Sequence, residues 1–251
     1  MSNKTCIVIP ARFKSTRLEG KVIMMLDGKP MIQWVYEAAL KVNGVSEVII
    51  ATDHNLVVEA AATFGARCEL TSKHHASGTD RIAEVAQRLS GYDVFINLQA
   101  DEPLIHPLQI QELIQNFRDD QVEIATQKMS ISSSEELFEF NVVKVVCDAQ
   151  DKVLYFSRNA IPAQRDFAYR HWMEQHSYFK HVGLYGFRRN TLLEIAKLKP
   201  SALEKTESLE QLRWLENGYT IHCKETSHFT IGVDTLEDLE RAEAFIQKRK
   251  L

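Results

Sequence analysis

The sequence contains no run of about 18 apolar residues, and Arg12 and Lys14 end the short apolar stretch near its start. It therefore predicts neither membrane insertion nor a secretory signal peptide. Only four cysteines occur, far apart and without a Cys-x-x-Cys pair, which argues against a zinc ribbon and a disulfide scaffold. We therefore expect free thiols in a cytoplasmic protein.

An excess of positive charge is also missing, since 30 Lys and Arg stand against 34 Asp and Glu, a net charge of −4. Proteins that coat nucleic acid are broadly basic, so we expect no nucleic-acid partner. Neither the Gly-x-Gly-x-x-Gly motif of dinucleotide sites nor the P-loop motif is present. What remains is a chain of 251 residues, 45% of them apolar, long enough for one large α/β domain or two small ones.

Apolar segments alternate with segments of helical periodicity over the first 130 residues. Thr5–Ile9 predicts a strand buried on both faces, and apolar residues at helical spacing follow Pro30. Further strands, with helices between them, are predicted at Glu47–Ala51, Arg67–Leu70, Asp93–Leu98 and Glu123–Thr126. This alternation predicts an α/β fold with a doubly wound, mainly parallel sheet.

The pattern changes beyond residue 130. Val142–Cys147 and Val153–Ser157 predict two close strands, and a polar stretch with several aromatic residues follows, Ala163–Tyr178. A strand at Val182–Phe187 and a helix at Ser208–Asn217 come next, and the last helix opens with the capping sequence Thr235-x-x-Asp238. We predict a single domain over residues 1–251, with an inserted excursion at about residues 130–190.

The loops after the parallel strands are the expected ligand sites. The first loop carries four cations and one acid, Glu19; the cations are Arg12, Lys14, Arg17 and Lys21. This loop is either a solvated basic segment or an anion receptor.

The loop after the fourth strand holds Asp101 and Glu102, and Asp234 precedes the last helix. Taken alone, Asp234 is more typical of a turn or cap, and Asp101 is as typical of a turn as of a metal site. With a cationic loop, they indicate a magnesium site for a nucleoside triphosphate.

A third loop, His74–Arg81, places Ser77 and Gly78 before a helix and suits the close approach of a base or ribose. We interpret His74 and His75 as surface residues, since adjacent side chains point apart. His171, His176 and His181 lack the i, i+4 spacing of helical zinc ligands, so no zinc site is predicted there.

Several motifs occur in order along nearly the whole chain: IPARFKSTRLEGK, ATD, HHASGTDR, INLQADEP, VKVV, LYFSRNAIP, KHVGLYGF, SLEQLR and GVDT. In this ordered set the chain resembles the 3-deoxy-manno-octulosonate cytidylyltransferases, the CMP-Kdo synthetases. The resemblance implies a nucleotide-diphospho-sugar transferase fold, typically dimeric, with the aromatic stretch as the expected dimer surface. It also implies Mg²⁺-dependent transfer of CMP from CTP to the anomeric hydroxyl of Kdo, releasing pyrophosphate, for lipopolysaccharide or capsule assembly.

The same resemblance implies roles for individual residues. Asp101 and Asp234 would bind Mg²⁺ and, with Lys21, form the catalytic group. The nucleotide would contact Pro10, Ala11, Arg12, Ser15, Lys21, Ser77, Gly78, Arg81 and Gln99. The sugar acid would contact Arg158, His181, Tyr185, Glu210 and Gln211, with Arg158 on its carboxylate. The local pattern alone favours an exposed helix face for Glu210 and Gln211.

Three residues depart from the family pattern: Glu19 and Ile231 replace prolines, and Ala100 replaces a glycine. None of the three removes a catalytic group. The alternatives left open are 8-amino-Kdo or another sugar acid, such as a sialic acid, as substrate, and a non-catalytic nucleotide- or sugar-binding regulator. Retention of Lys21, Asp101 and Asp234 argues against a regulator.

Overall fold

A sheet of nine strands organises the chain, and a separate two-stranded ribbon lies beside it. The computed structural model describes residues 3–14, 18–228 and 232–250. In chain order the strands are β1 (Thr5–Ala11), β2 (Met25–Leu26), β3 (Lys29–Pro30), β4 (Val45–Thr52), β5 (Cys68–Leu70), β6 (Val94–Asn97), β7 (Ile124–Ser130), β8 (Lys144–Cys147), β9 (Val153–Ser157), β10 (Phe179–Arg188) and β11 (Ile221–Glu225).

Helices connect these strands. They are α1 (Met31–Leu40), α2 (Asn55–Thr63), α3 (Gly78–Arg88), α4 (Pro107–Gln115), α5 (Ser134–Phe138), α6 (Trp172–Gln175), α7 (Arg189–Ile195), α8 (Ala202–Glu207), α9 (Gln211–Glu216) and α10 (Leu236–Lys250). Single 3-10 turns occur at Lys21–Ile23, Asn116–Arg118 and Tyr169–His171. No helix in the described ranges is long and apolar enough to cross a membrane.

The main path of the sheet runs β11-β7-β10-β6-β1-β4-β5. Strand β1 is parallel to β4 and β6, and the pairs β4–β5 and β7–β11 are also parallel. Strand β10 alone on this path is antiparallel to both of its path neighbours, β6 and β7. The predicted mainly parallel sheet is confirmed, with one antiparallel strand in its middle.

Strand β10 also corrects the extent of the predicted excursion. It falls within residues 130–190, yet it is a central strand of the main sheet. The excursion therefore ends before Phe179. Within it, the two close strands predicted from the sequence are present as β8 and β9, which pair antiparallel.

Two apolar layers cover the two faces of the sheet. In β1, Ile7 and Ile9 pack into one layer, and Cys6 and Val8 pack into the other. All four are fully buried. A strand covered on both sides needs apolar residues at successive positions, which explains why Thr5–Ile9 shows no alternation.

The aromatic stretch of the excursion is only partly exposed. Trp172 and Tyr178 are buried in a small cluster with Ile131 and Leu137, whereas Phe167 and Tyr169 are exposed. Trp172 and Tyr178 therefore belong to the interior of the excursion, which leaves Phe167 and Tyr169 as the aromatic residues of this stretch that are available to the expected dimer surface.

The helix predicted from Ser208 begins three residues later, at Gln211. Ser208 has φ +52° and ends α8 in the left-handed conformation, which interrupts the helical path. The capping sequence before α10 is confirmed: Thr235 Oγ1 accepts a hydrogen bond from Asp238 N (3.2 Å), and the Asp238 carboxylate accepts one from Thr235 N (3.0 Å).

Candidate active site

A cavity of about 260 Å³ opens at the carboxyl ends of β1 and β6. The chain leaves β1 toward β4 and β5 and returns to β6 on the other side of β1, so the strand order reverses here. Open α/β sheets bind ligands at such a reversal. The lining includes seven of the residues predicted to hold a nucleotide: Pro10, Arg12, Lys21, Ser77, Gly78, Arg81 and Gln99. Ala11 is fully buried in β1 and does not line the cavity, and Ser15 lies outside the described residues.

The Lys21 ammonium lies between two carboxylates in this cavity. Its Nζ is 2.8 Å from Asp101 Oδ2 and 2.8 Å from Asp234 Oδ1, and it also donates to the Val233 carbonyl at 3.1 Å. Burial disfavours the charged ammonium, but the two carboxylates outweigh burial and raise the pKa of Lys21. Lys21 is therefore a fixed positive charge at the floor of the cavity.

Backbone contacts hold the two acidic loops together. Val233 N donates to the Asp101 carbonyl at 2.8 Å, and Asp234 N donates to the Asp238 carboxylate at 3.2 Å. Asp101 is thus positioned by the end of β6, and Asp234 by the start of α10. The two residues come together although most of the chain separates them.

The donor set at this point suits a magnesium ion. One ammonium is in contact with both carboxylates, so a cation already occupies the position between them. No group of three or more His, Cys, Asp or Glu side chains that could hold a metal occurs among the described residues. Mg²⁺ in nucleotide sites uses one or two carboxylates and takes its other ligands from phosphate and water. Asp101 and Asp234 fit that pattern.

Glu102 is not part of the cavity, although the sequence pairs it with Asp101. Its Oε2 atom is buried and has no hydrogen-bond partner among the described residues. Burial, with the neighbouring Asp101 charge, raises the pKa of Glu102 to about 8. Of the two acids in this loop, only Asp101 lines the cavity.

The start of α3 forms another wall of the cavity. Ser77 caps the helix by accepting from Asp80 N at 3.1 Å, and the Asp80 carboxylate accepts from Ser77 N at 3.1 Å. A Cβ on Gly78 would meet the Pro10 ring at 3.3 Å, so glycine lets the helix approach β1 closely. Backbone N–H groups at a helix start favour an anionic ligand.

Arg81 holds this helix to the neighbouring loops. Its guanidinium donates to Asp53 Oδ2 at 3.1 Å and to Thr71 Oγ1 at 2.6 Å, and the side chain is almost fully buried. Asp53 also accepts from Phe13 N at 3.1 Å. Asp53, a residue of the ATD motif, therefore connects the first loop to α3.

His75 is a site residue that the sequence interpretation missed. It lines the cavity, and its Nε2 is 2.5 Å from Glu84 Oε2 of α3. Burial acts to raise the pKa of Glu84, but hydrogen bonds from Ser72 N and His75 and the Arg88 charge lower it overall. Of the two histidines interpreted as surface residues, only His74 is exposed.

His181 and Tyr185, two of the predicted sugar-binding residues, lie together on β10, with ring centroids 5.2 Å apart. Thr126 Oγ1 is 3.0 Å from His181 Nε2. Burial lowers the pKa of His181 to about 3 and raises that of Tyr185 well above its usual value. The Tyr185 hydroxyl is buried and makes no hydrogen bond of regular geometry within the described residues, although the Thr126 side chain lies close to it.

Glu210 and Gln211 are not on an exposed helix face, contrary to the local pattern. Gln211 is buried at the start of α9, and Glu210 Oε2 accepts from Thr79 Oγ1 at 2.8 Å. Thr79 follows Gly78 in α3, so Glu210 links α9 to a wall of the cavity. Burial raises the pKa of Glu210.

Arg158 is not brought into the cavity. Its Nε donates to the Glu207 carbonyl at 2.7 Å, and its two terminal nitrogens lie 3.3 Å from the carbonyls of Phe140 and Ser208. In this arrangement Arg158 fastens the excursion to the turn after α8.

The departures from the family pattern leave the described site intact. Glu19 is exposed, as are Arg12 and Lys14 of the same loop. Ala100 is buried and is not among the residues with positive φ, so it carries none of the strain expected if glycine were required. Ile231 and Arg17 lie outside the described residues.

Comparison with known proteins agrees with this geometry. A family model described as Cytidylyltransferase matches residues 6–225. A 3-deoxy-manno-octulosonate cytidylyltransferase of Fusobacterium nucleatum is 45% identical over 97% of this chain and 97% of its own length. The chain belongs to the 3-deoxy-manno-octulosonate cytidylyltransferase family. The resemblance seen in the motifs is thereby confirmed.

Further relatives of this cytidylyltransferase give the same result. The enzyme of that name from Geotalea daltonii is 48% identical over 95% of this chain and 96% of its own length. A solved CMP:2-keto-3-deoxy-manno-octonic acid synthetase complexed with CTP is 43% identical, with a TM-score of 0.92 over 98% of this chain and 99% of that one. A 4-diphosphocytidyl-2C-methyl-D-erythritol synthase from Anaerococcus prevotii, 12% identical with a TM-score of 0.63 over 98% of this chain and 100% of that one, shares the fold.

Proposed function

We propose that this protein transfers CMP from CTP to the anomeric hydroxyl of Kdo, giving CMP-Kdo and pyrophosphate. Family membership supports the reaction class and the substrates. The observation that carries the proposal is Lys21 held between Asp101 and Asp234 in a cavity at the reversal of strand order. The product would serve lipopolysaccharide or capsule assembly.

The chain's own groups match the needs of this reaction. In-line attack of a hydroxyl on the α-phosphorus depends on positioning and charge neutralisation more than on covalent chemistry. Lys21 places a positive charge on the cavity floor, and exposed Arg12 adds a second at its edge. The N-terminus of α3 offers backbone donors beside Gly78.

Asp101 and Asp234 would hold Mg²⁺ in this proposal. Bound there, the ion would neutralise phosphate charge and lower the pKa of the attacking hydroxyl. Lys21 then has to leave the position between the carboxylates, and its ammonium becomes available to the α-phosphate.

The sugar acid is proposed to bind along β10 and the start of α9. His181 is neutral over the physiological pH range, and the buried Tyr185 hydroxyl makes no hydrogen bond of regular geometry within the described residues, so both suit hydroxyl groups of the sugar. Glu210 and Gln211 border the same region. Arg158 would receive the carboxylate only after giving up carbonyl contacts.

The test is pyrophosphate release by the purified chain with CTP and Mg²⁺, offered Kdo, 8-amino-Kdo or N-acetylneuraminate in parallel. We expect release with Kdo and none without a sugar acid. Release with N-acetylneuraminate alone would overturn the assigned substrate, and no release with any sugar acid would overturn the enzymatic assignment.

A cytoplasmic homodimer is part of the same proposal. Exposed aromatic side chains gather around the excursion, where Phe138 contacts the ring of Tyr169 and Phe167 is 47% exposed. Exposed aromatic clusters of this kind mark protein–protein contacts. We place the dimer surface there.

A further inference from the structure

Two cysteines that are distant in the sequence lie side by side in the fold. Cys147 ends β8, and Cys223 lies within β11. The turn between β8 and β9 is docked on β11, because Cys223 N donates to the Asp151 carbonyl at 2.8 Å and Lys152 pairs with His222. This docking packs Cys147 into the same apolar layer as Cys223, close enough for the two thiols to interact.

A cation lies beside this pair of thiols. Lys128 Nζ is 2.8 Å from Asp151 Oδ1 and 5.2 Å from the centre of the Phe179 ring. The hydrogen bond from Cys223 and the Lys128 charge lower the pKa of Cys147, against burial and the Asp151 carboxylate. Burial instead raises the pKa of Cys223. Cys147 is therefore the member of the pair that ionises first.

The two thiols also differ in access. Cys147 is partly exposed and lines a cavity of about 390 Å³ together with Lys128, Pro162 and His176. Cys223 is fully buried. A small oxidant can thus reach Cys147 through the cavity, whereas the buried Cys223 is not accessible from it.

The other two cysteines lack this environment. Burial raises the pKa of Cys6 to about 12 and that of Cys68 to about 11. Cys68 is half-buried, as Cys147 is, so the two thiols can be compared within one protein at similar access to solvent. Thiolate character and access together decide which thiol is oxidised.

We propose that Cys147 and Cys223 form a peroxide-sensitive dithiol in which Cys147 is oxidised first and Cys223 converts it to a disulfide. The Cys147 thiolate attacks one oxygen of hydrogen peroxide, the O–O bond breaks, and hydroxide leaves. The Cys223 sulfur then attacks the Cys147 sulfenic acid, the S–S bond forms, and the S–O bond breaks. In sum, two thiols and one peroxide give one disulfide and two waters. The disulfide would join the excursion covalently to strand β11 of the main sheet.

The experiment treats the native full-length chain with a small excess of hydrogen peroxide, then unfolds it and alkylates the free thiols. Mass spectrometry of the wild type should show two of its four cysteines protected, with a crosslinked peptide pair containing Cys147 and Cys223 that dithiothreitol reverses. In the C223S variant, Cys147 should stop at the sulfenic acid, which dimedone captures. In C147S, all remaining cysteines should stay alkylatable.

The C68S variant is the control and should form the disulfide at the wild-type rate. Four free thiols in treated wild-type protein, or a crosslink to Cys6, to Cys68 or between two chains, would overturn the proposal. A time course on the wild type decides the matter even if a serine variant fails to fold. We expect Cys147 to lose its free thiol at least ~10-fold faster than Cys68, and equal rates would contradict the assignment.

Discussion

Lys21 gives the candidate site a balance of charge before any ligand arrives. Two carboxylates near one ammonium leave the three side chains with one net negative charge, so Asp101 and Asp234 are held close without mutual repulsion dominating. In the proposed reaction, a divalent ion with phosphate ligands would replace the ammonium there. We therefore expect the proposed reaction to need both acids.

We expect Asp101→Asn to lower turnover by at least ~100-fold, because an amide lacks the negative charge that a metal ligand supplies. The substitution keeps the size of the side chain, so the fold should be retained. Pyrophosphate release at saturating CTP, Kdo and Mg²⁺ measures the effect. Asp120→Asn, at a side chain that is 91% exposed, is the control. Wild-type turnover in Asp101→Asn would show that Asp101 binds no metal.

His181 should make the protein less stable in mild acid. Its folded pKa is about 3, whereas its ordinary value is 6.5, so between these values the unfolded chain binds a proton that the folded chain does not. The free energy of unfolding should therefore fall as pH is lowered from 6.5, by about 1 kcal/mol per pH unit from this residue.

Urea unfolding at pH 7, 6 and 5 measures this slope. His181→Asn should show a shallower slope than the wild type, while His74→Asn, at an exposed histidine, should match the wild type. Parallel slopes for all three proteins would contradict a buried neutral His181.

Sequence motifs located most of the cavity residues but not how they are held. Lys21, Asp101 and Asp234 follow from residue types at strand ends, and all three meet. His75 was missed because two adjacent histidines in a loop carry no periodic signal. The orientation of its side chain depends on Glu84, which lies nine residues further along the chain, in α3.

Among the elements, β10 packs its glycines against very different surroundings. A Cβ on Gly186 would lie 2.5 Å from Phe117 Cε2 and 3.0 Å from Ile96 Cδ1, whereas a Cβ on Gly183 would meet nothing within 4 Å. Both residues are on the same strand, so they form a matched pair. The close approach of β10 to the helical layer depends on Gly186.

We expect Gly186→Ala to lower the free energy of unfolding by about 1–3 kcal/mol, the usual cost of overpacking a buried site. Gly183→Ala should be neutral or slightly stabilising, since alanine restricts the unfolded chain. Denaturant midpoints of the two variants, with unchanged m-values, measure the difference. Equal midpoints would refute the steric argument.

Apolar patterning predicted β1, β4 and β6 to within two residues or so, because strands covered on both faces leave long apolar runs. The apolar pattern does not show which strands pair with each other. The antiparallel placement of β10 between β6 and β7 was therefore not predicted. The start of α9 was placed too early because the left-handed conformation of Ser208 leaves no mark in the hydrophobic pattern.

At the scale of the whole molecule, the proposed dimer surface on the excursion can be tested directly. We expect the wild type to sediment as a dimer and Tyr169→Glu to shift it toward the monomer, because a charge would have to be buried among Phe138 and Phe167. Analytical ultracentrifugation over a range of concentrations measures this. Leu108→Glu, at a side chain that is 55% exposed in the first turn of α4, is the control. A monomeric wild type would contradict the proposed surface.

The position of β10 also has a consequence for how the protein is made. On the path of the main sheet, β10 alone joins β7 and β11 to β6, β1, β4 and β5. When β6 and β7 have left the ribosome, β10, the strand that pairs with both of them, has not yet been synthesised. Until Arg188 has emerged, their unpaired edges are open to other chains. The sheet can close only late in synthesis, when its central strand arrives.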